Sequence, residues 1–194
     1  MIETHPFGVF APPKVKYLLL GSFIAIKRSG DDSYDWFYGS KRNQFWPIIE
    51  EVYKVKLSNK KAKQDLFSRL SIAIADIIHQ CERKDNNSLD SNLTNAVYNS
   101  DAINRLLGEN PIERILFSSR FVEKEFRKHF KKLIEKYPDI ELVTLPSPSP
   151  RYAAMSREEK VKRYSRVFPK LERWVSGEVK LKRVLPKLRR GTRR

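Results

Sequence analysis

The sequence predicts an α/β sandwich built around a mainly parallel sheet. Three observations carry this. Short apolar, often β-branched runs alternate with segments of helical period. Two such runs end in polar loops that bear glycine or proline, Leu20-Gly21-Ser22-Phe23 and Leu145-Pro146-Ser147-Pro148-Ser149-Pro150-Arg151. No internal repeat divides the 194 residues, a length that suits one domain with a full core. In an open parallel sheet, loops after strand C-termini share one edge, where ligands bind. The two polar loops are therefore expected to form one cleft.

The elements follow in order. Residues 15–20 are largely apolar and stop at Gly21, the signal of a buried strand. Residues 43–52 place Phe45, Trp46, Ile48, Ile49 and Val52 at helical spacing, with Pro47 in an early turn that accepts it. Residues 60–70 form a second helix on a weaker pattern. Residues 72–78 are apolar apart from Asp76 and predict a strand, or a strand running into a turn. Residues 82–92 are polar and predict a loop. Residues 101–107 predict a helix that stops near Gly108 and Pro111. Residues 112–117 predict a third strand. Ser118-Ser119 then caps an amphipathic helix over 121–137. Residues 140–145 predict a fourth strand. Ser156-Arg157-Glu158-Glu159 is a capping-box sequence opening a helix that runs to about Trp174. The expected domain is 1–176, followed by a basic tail over 177–194.

Composition narrows the partners. Lys and Arg number 39 against 23 Asp and Glu, a formal net charge of +16. A charge of this size concerns partners rather than fold, and phosphate-rich polymers fit it. Residues 179–194 hold eight basic residues and no acid, which suits added affinity for nucleic acid without sequence readout. The apolar runs are too short to span a membrane, and the first residues lack the pattern of a signal peptide, so a cytoplasmic, monomeric protein is expected. Cys81 is the single cysteine, which excludes an intrachain disulfide and a four-cysteine cluster within the chain. His5, His79 and His129 show no ligand spacing. No metal and no cofactor are expected.

The motifs taken together resemble the uracil-DNA glycosylase superfamily, and within it the branch of hypoxanthine-DNA and mismatch-type glycosylases. The pieces run in order through residues 5–170. They are His5-Pro6-Phe7, Leu20-Gly21-Ser22-Phe23, Arg42-Asn43-Gln44-Phe45-Trp46, Ala75-Asp76-Ile77-Ile78 with Cys81-Glu82-Arg83, Ser88-Leu89-Asp90-Ser91, and the loop after Leu145. The resemblance implies a three-layer α/β/α sandwich with a central four-stranded, mainly parallel sheet. It also implies monofunctional excision of a deaminated base, uracil or hypoxanthine, from double-stranded DNA in base excision repair.

Such chemistry sets demands on particular residues. A base taken out of the stack needs a pocket and an aromatic face. The resemblance puts Phe37 or Tyr38 there, beside Ser22 and Phe23 of the first loop; both aromatics also suit a core. Asn43 matches the asparagine that the hypoxanthine branch uses for catalysis. An amide can orient water or donate to a base carbonyl, and Asn also suits a helix cap. Asp76 lies in an apolar run, and a buried carboxylate needs a partner. It could read a base N–H, activate water, or cap backbone amides. Ser147, Ser149 and Arg151 resemble the segment that grips DNA beside the flipped nucleotide, with Arg151 filling the gap in the stack. Ser118, Ser119 and Arg120 stand at a helix start, where Ser119 could hold a phosphate.

The first loop departs from the family pattern, with Ile24-Ala25 where Pro-Gly is usual. The stretch 27–36 is long and charged, and its acids Asp31, Asp32 and Asp35 read as solvated. The acid and the histidine that classical uracil enzymes keep are absent from the matching motifs, as they are in the hypoxanthine branch. A catalytically silent nucleic-acid-binding protein on the same fold is the alternative reading.

Overall fold

The structure is a computed structural model that describes residues 2–24, 35–84 and 92–171. Ala25, Asp31, Asp32, the segment Ser88-Leu89-Asp90-Ser91, Trp174 and the tail 177–194 lie outside the described residues. The elements are β1 (Ile2–Thr4), β2 (Tyr17–Gly21), α1 (Phe45–Tyr53), α2 (Lys60–Arg69), β3 (Ile72–Asp76), β4 (Ile78–Arg83), β5 (Leu93–Tyr98), α3 (Ser100–Glu109), β6 (Arg114–Phe117), α4 (Arg120–His129), α5 (Lys131–Lys136), β7 (Glu141–Thr144) and α6 (Arg157–Val167).

The four strands anticipated from the sequence form one parallel sheet in the order β3-β2-β6-β7. Successive side chains of a strand point to opposite faces, so a sheet covered on both faces needs apolar residues at every position. β2 does this with Leu18 and Leu20 on one side and Leu19 on the other. Ala73 and Ala75 of β3 join Leu18, against Ile103 of α3 and Val122 and Phe126 of α4. Ile72 and Ile74 join Leu19, against Ile48 and Ile49 of α1, Phe67 of α2 and Tyr164 of α6. These two cores are the two interlayer spaces of an α/β/α sandwich.

The chain leaves β2 for β3 on one side and later returns to β6 on the other. The strand order therefore reverses at β2. A crevice opens at such a reversal, beyond the strand C-termini. Gly21, Asp76 and Phe117 end their strands at this edge.

Three features differ from expectation. First, residues 78–98 form an antiparallel pair, β4 and β5, with β1 on the other side of β4. Ile78 and Cys81 enter a core, Leu93, Ala96 and Tyr98 pack against it in part, and charged contacts such as Arg83 with Glu3 at 3.0 Å take the outward positions. The strand signal was thus diluted by polar residues facing outward. Second, the helix expected over 121–137 is two helices, broken at Phe130 with φ −116° and ψ 27°. Phe130 is buried and stacks on Phe126 at 4.6 Å, while Leu133 and Ile134 continue along the same apolar side. Periodicity survives a one-residue break and so cannot report it. Third, α6 opens with the anticipated capping box, Ser156 with Glu159, but ends at Val167. Phe168 is extended because Pro169 follows it.

Candidate active site

A cavity of about 460 Å3 lies at the C-terminal edge of the parallel sheet. Four loops supply its walls, following β2, β3, β6 and β7, and the segment before α1 closes it. All ten candidate residues line it: Ser22, Phe23, Phe37, Tyr38, Asn43, Asp76, Ser119, Ser147, Ser149 and Arg151. Asp76 is the sole acid among the described lining residues, and Arg42 and Arg151 are the cations. Volume and lining suit a small organic group held by a few polar contacts.

Asp76 is 4% exposed and ends β3 beside Gly21, its register partner in β2. Its Oδ2 lies 2.9 Å from Nε2 of His5. Among the described residues its carboxylate takes no backbone N–H, so it is not an amide cap. The other oxygen, Oδ1, sits over Gly21: a Cβ built there would fall 2.2 Å from it. Gly21 is therefore fixed by close approach.

His5 reaches this place through the second sheet. β1 pairs with β4, and His5 N–H extends that pairing to the carbonyl of His79 at 2.8 Å. β4 starts two residues after Asp76, so the small sheet delivers the imidazole to the edge of the large one. Phe23 and Phe37 flank the ring at 5.7 and 5.4 Å between centroids. Nδ1 of His5 faces both the carbonyl and the N–H of Phe7. Nε2 must carry a proton to donate to the Asp76 carboxylate, and a bare Nδ1 then accepts from the N–H of Phe7, so both ring nitrogens are engaged.

Asn43 directs its Oδ1 to the N–H of Phe45 at 2.9 Å, an Asx turn just before α1. Gln44 occupies the cap position itself, without a side-chain cap bond. With the oxygen engaged, Nδ2 is left as a donor, without a partner among the described residues. Tyr38 has φ 55°, rare for a bulky residue, and its ring stacks on Phe45 at 4.3 Å. Phe37, at 1% exposure, is a core aromatic whose edge reaches the cavity.

No family model matches the sequence, and no curated protein does. Among solved structures, the chain is similar to the solution NMR structure of a "putative uracil DNA glycosylase" from Methanosarcina acetivorans, with a TM-score of 0.65 and 21% identity over 87% of this chain and 97% of that one. The two chains share a fold. The α/β/α sandwich with four parallel strands, expected from the sequence, is common to both.

In this chain the second polar loop is braced by α6. The hydroxyl of Ser147 accepts from the N–H of Ser149 at 3.3 Å, and that of Ser149 from the N–H of Arg151 at 3.3 Å. Each hydroxyl keeps its own proton to donate. Ser119 caps α4 by accepting from Val122 N–H. Tyr164 donates to the Pro146 carbonyl at 3.0 Å. Lys160, 1% exposed, donates to Gln44 Oε1 at 2.9 Å and to the carbonyls of Tyr152 at 3.1 Å and Ser149 at 3.5 Å. Gln44 N–H also meets the Pro148 carbonyl at 2.9 Å. A buried ammonium thus ties the Asn43 segment to the serine-proline loop. Burial holds Lys160 below the usual lysine range.

His5 and Lys160 are the residues that sequence reasoning missed. The motif His5-Pro6-Phe7 was visible, but nothing in it reported a contact across two sheets. Lys160 sits in a charged helix, where its burial has no local signature. Ile24, which departs from the family pattern, packs its side chain into the core with Leu19 and Trp36.

Proposed function

We propose that the protein is a monofunctional DNA glycosylase that hydrolyses the bond between deoxyribose and a flipped, deaminated base, uracil or hypoxanthine, as in the hypoxanthine-DNA branch. One observation carries the reading: Asn43, Asp76 and the Ser147–Arg151 loop, distant in sequence, meet at one cavity in a very basic chain. The shared fold with the Methanosarcina protein supports it.

The mechanism follows from the placement. Breaking the bond leaves positive charge on the sugar and an electron pair on the base. Asn43 Nδ2 donates to the base carbonyl and stabilises that growing negative charge. Asp76, the only acid lining the cavity among the described residues, orients a water molecule and takes its proton as the water oxygen bonds to the anomeric carbon. His5 holds the carboxylate and fixes which oxygen faces the cavity. Tyr38, Phe23 and Ser22 line the base pocket. Ser119, Ser147 and Ser149 donate to phosphates, and Arg151, exposed at the rim, fills the gap left in the stack. The partner is double-stranded DNA carrying the lesion.

The test is single-turnover cleavage of duplexes carrying uracil, hypoxanthine or thymine opposite guanine or thymine, followed by alkaline scission of abasic sites. Scission with uracil or hypoxanthine supports the proposal, and the ranking sets the substrate. Binding without scission at any enzyme excess points to a silent DNA-binding protein.

A further inference from the structure

A second groove, about 1060 Å3, opens from the cavity and shares Ser119, Ser147, Ser149 and Arg151 with it. It runs between α4 and α6. Its two rims are basic, with Arg120 and Lys124 on α4 and Arg163 on α6. Lys124, Arg151 and Arg163 are exposed and carry no acid partner among the described residues. Among the described residues one acid, Glu123, lines it, but Thr144 and Arg127 bond its carboxylate and hold its pKa below the usual range. The floor is apolar and aromatic: Phe121, Leu145, Pro146, Tyr152 and Met155. Tyr152 is half-buried, and the Lys160 ammonium stands 5.3 Å from its ring centre.

We propose that this groove binds unpaired nucleotides of the strand that carries the flipped base, so that the protein accepts single-stranded DNA. A groove that only met the phosphates of a duplex would have no use for an aromatic floor between its basic rims. Single-strand sites combine a positive track for the backbone with ring faces for the bases. Continuity with the cavity sets the occupant, since a strand gripped by Ser147 and Arg151 leaves the cavity along this groove. The inference rests on the glycosylase reading for that continuity alone.

The test is anisotropy of labelled single-stranded oligonucleotides of about 12 nucleotides carrying one uracil or one hypoxanthine, with their duplexes as comparison, at several salt concentrations. Free base is measured in the same samples. The wild-type chain should bind the single strand within about tenfold of the duplex. The double variant Lys124→Glu, Arg163→Glu should weaken single-strand binding tenfold or more and lower its salt slope by about 1.4, at about 0.7 for each cation removed. Tyr152→Ala should weaken it about fivefold or more at unchanged salt slope. Single-strand affinity equal in wild type and variants, or duplex binding without single-strand binding, overturns the proposal. Binding lost in the variants while the wild type releases neither base would retain the groove and retire the glycosylase reading. Release of either base with unaltered variant binding would do the reverse.

Discussion

His5 Nε2 stands 2.9 Å from Asp76 Oδ2, across 71 residues of sequence and at the junction of two sheets. Both side chains are nearly fully covered. A buried carboxylate left without its partner is costly, and removing one member of such a pair typically costs about 3–5 kcal/mol. His5→Ala should therefore lower the unfolding free energy by about 3 kcal/mol and slow excision tenfold or more. His5→Gln keeps a donor within reach and should recover much of both. Urea unfolding and single-turnover rates on the three proteins check this. Equal stability of His5→Ala and wild type would show that the pair does not hold Asp76.

Gly21 is the floor under the same carboxylate. An added Cβ would lie 2.2 Å from Asp76 Oδ1 and 2.7 Å from the Tyr38 hydroxyl. Gly21→Ala should displace both and cost about 1–3 kcal/mol as an overpacking change. Its rate should fall further than that of a variant of equal stability elsewhere in the core, because Asp76 itself moves. Gly8, with open space around it, supplies the control as Gly8→Ala.

The parallel sheet and its flanking helices were legible because each strand is apolar on both faces and each helix repeats at its own period. The small sheet was not. β4 and β5 alternate polar and apolar residues without a clean pattern, and β1 has three residues. The cleft was legible for a related reason: polar loops such as Ser147–Arg151 stand out after apolar strands. His5 belongs to the small sheet, so its contact with Asp76 was hidden along with that sheet. Lys160 was hidden differently, since its three acceptors lie in two other segments of the chain.

Lys160 gives the fold a pH dependence. Burial depresses its pKa below the ordinary 10.5. Between the depressed value and 10.5 the unfolded chain binds more protons than the folded one, so the unfolding free energy rises with pH there. Below that window the folded chain bears the full cost of a buried ammonium. Urea unfolding at several pH values from neutral to about 10 should show a rise in the wild type that Lys160→Met lacks. The same variant should slow excision tenfold or more, since it frees the Asn43 segment from the serine-proline loop.

The tail should act through charge alone. Replacing Arg189, Arg190, Arg193 and Arg194 by Gln removes four cations of residues 179–194. The slope of log affinity for duplex DNA against log salt should then fall by up to about 3.6, at about 0.9 per contact. The single-turnover rate at saturating enzyme should not change. Anisotropy over a range of salt concentrations measures the first, and the excision assay the second.

The central claim is that the cavity at the end of the parallel sheet breaks an N-glycosidic bond. Its most direct test is to count free base and abasic sites in single-turnover reactions on a uracil duplex and a hypoxanthine duplex, with wild type, Asn43→Ala and Asp76→Asn. The account predicts that the wild type releases uracil or hypoxanthine, one free base for each abasic site formed. It predicts a rate about 10²–10³ lower for Asn43→Ala, and about 10²–10⁴ lower for Asp76→Asn. Full-rate release by both variants, or release of neither base by a wild type that binds the duplexes, would contradict it.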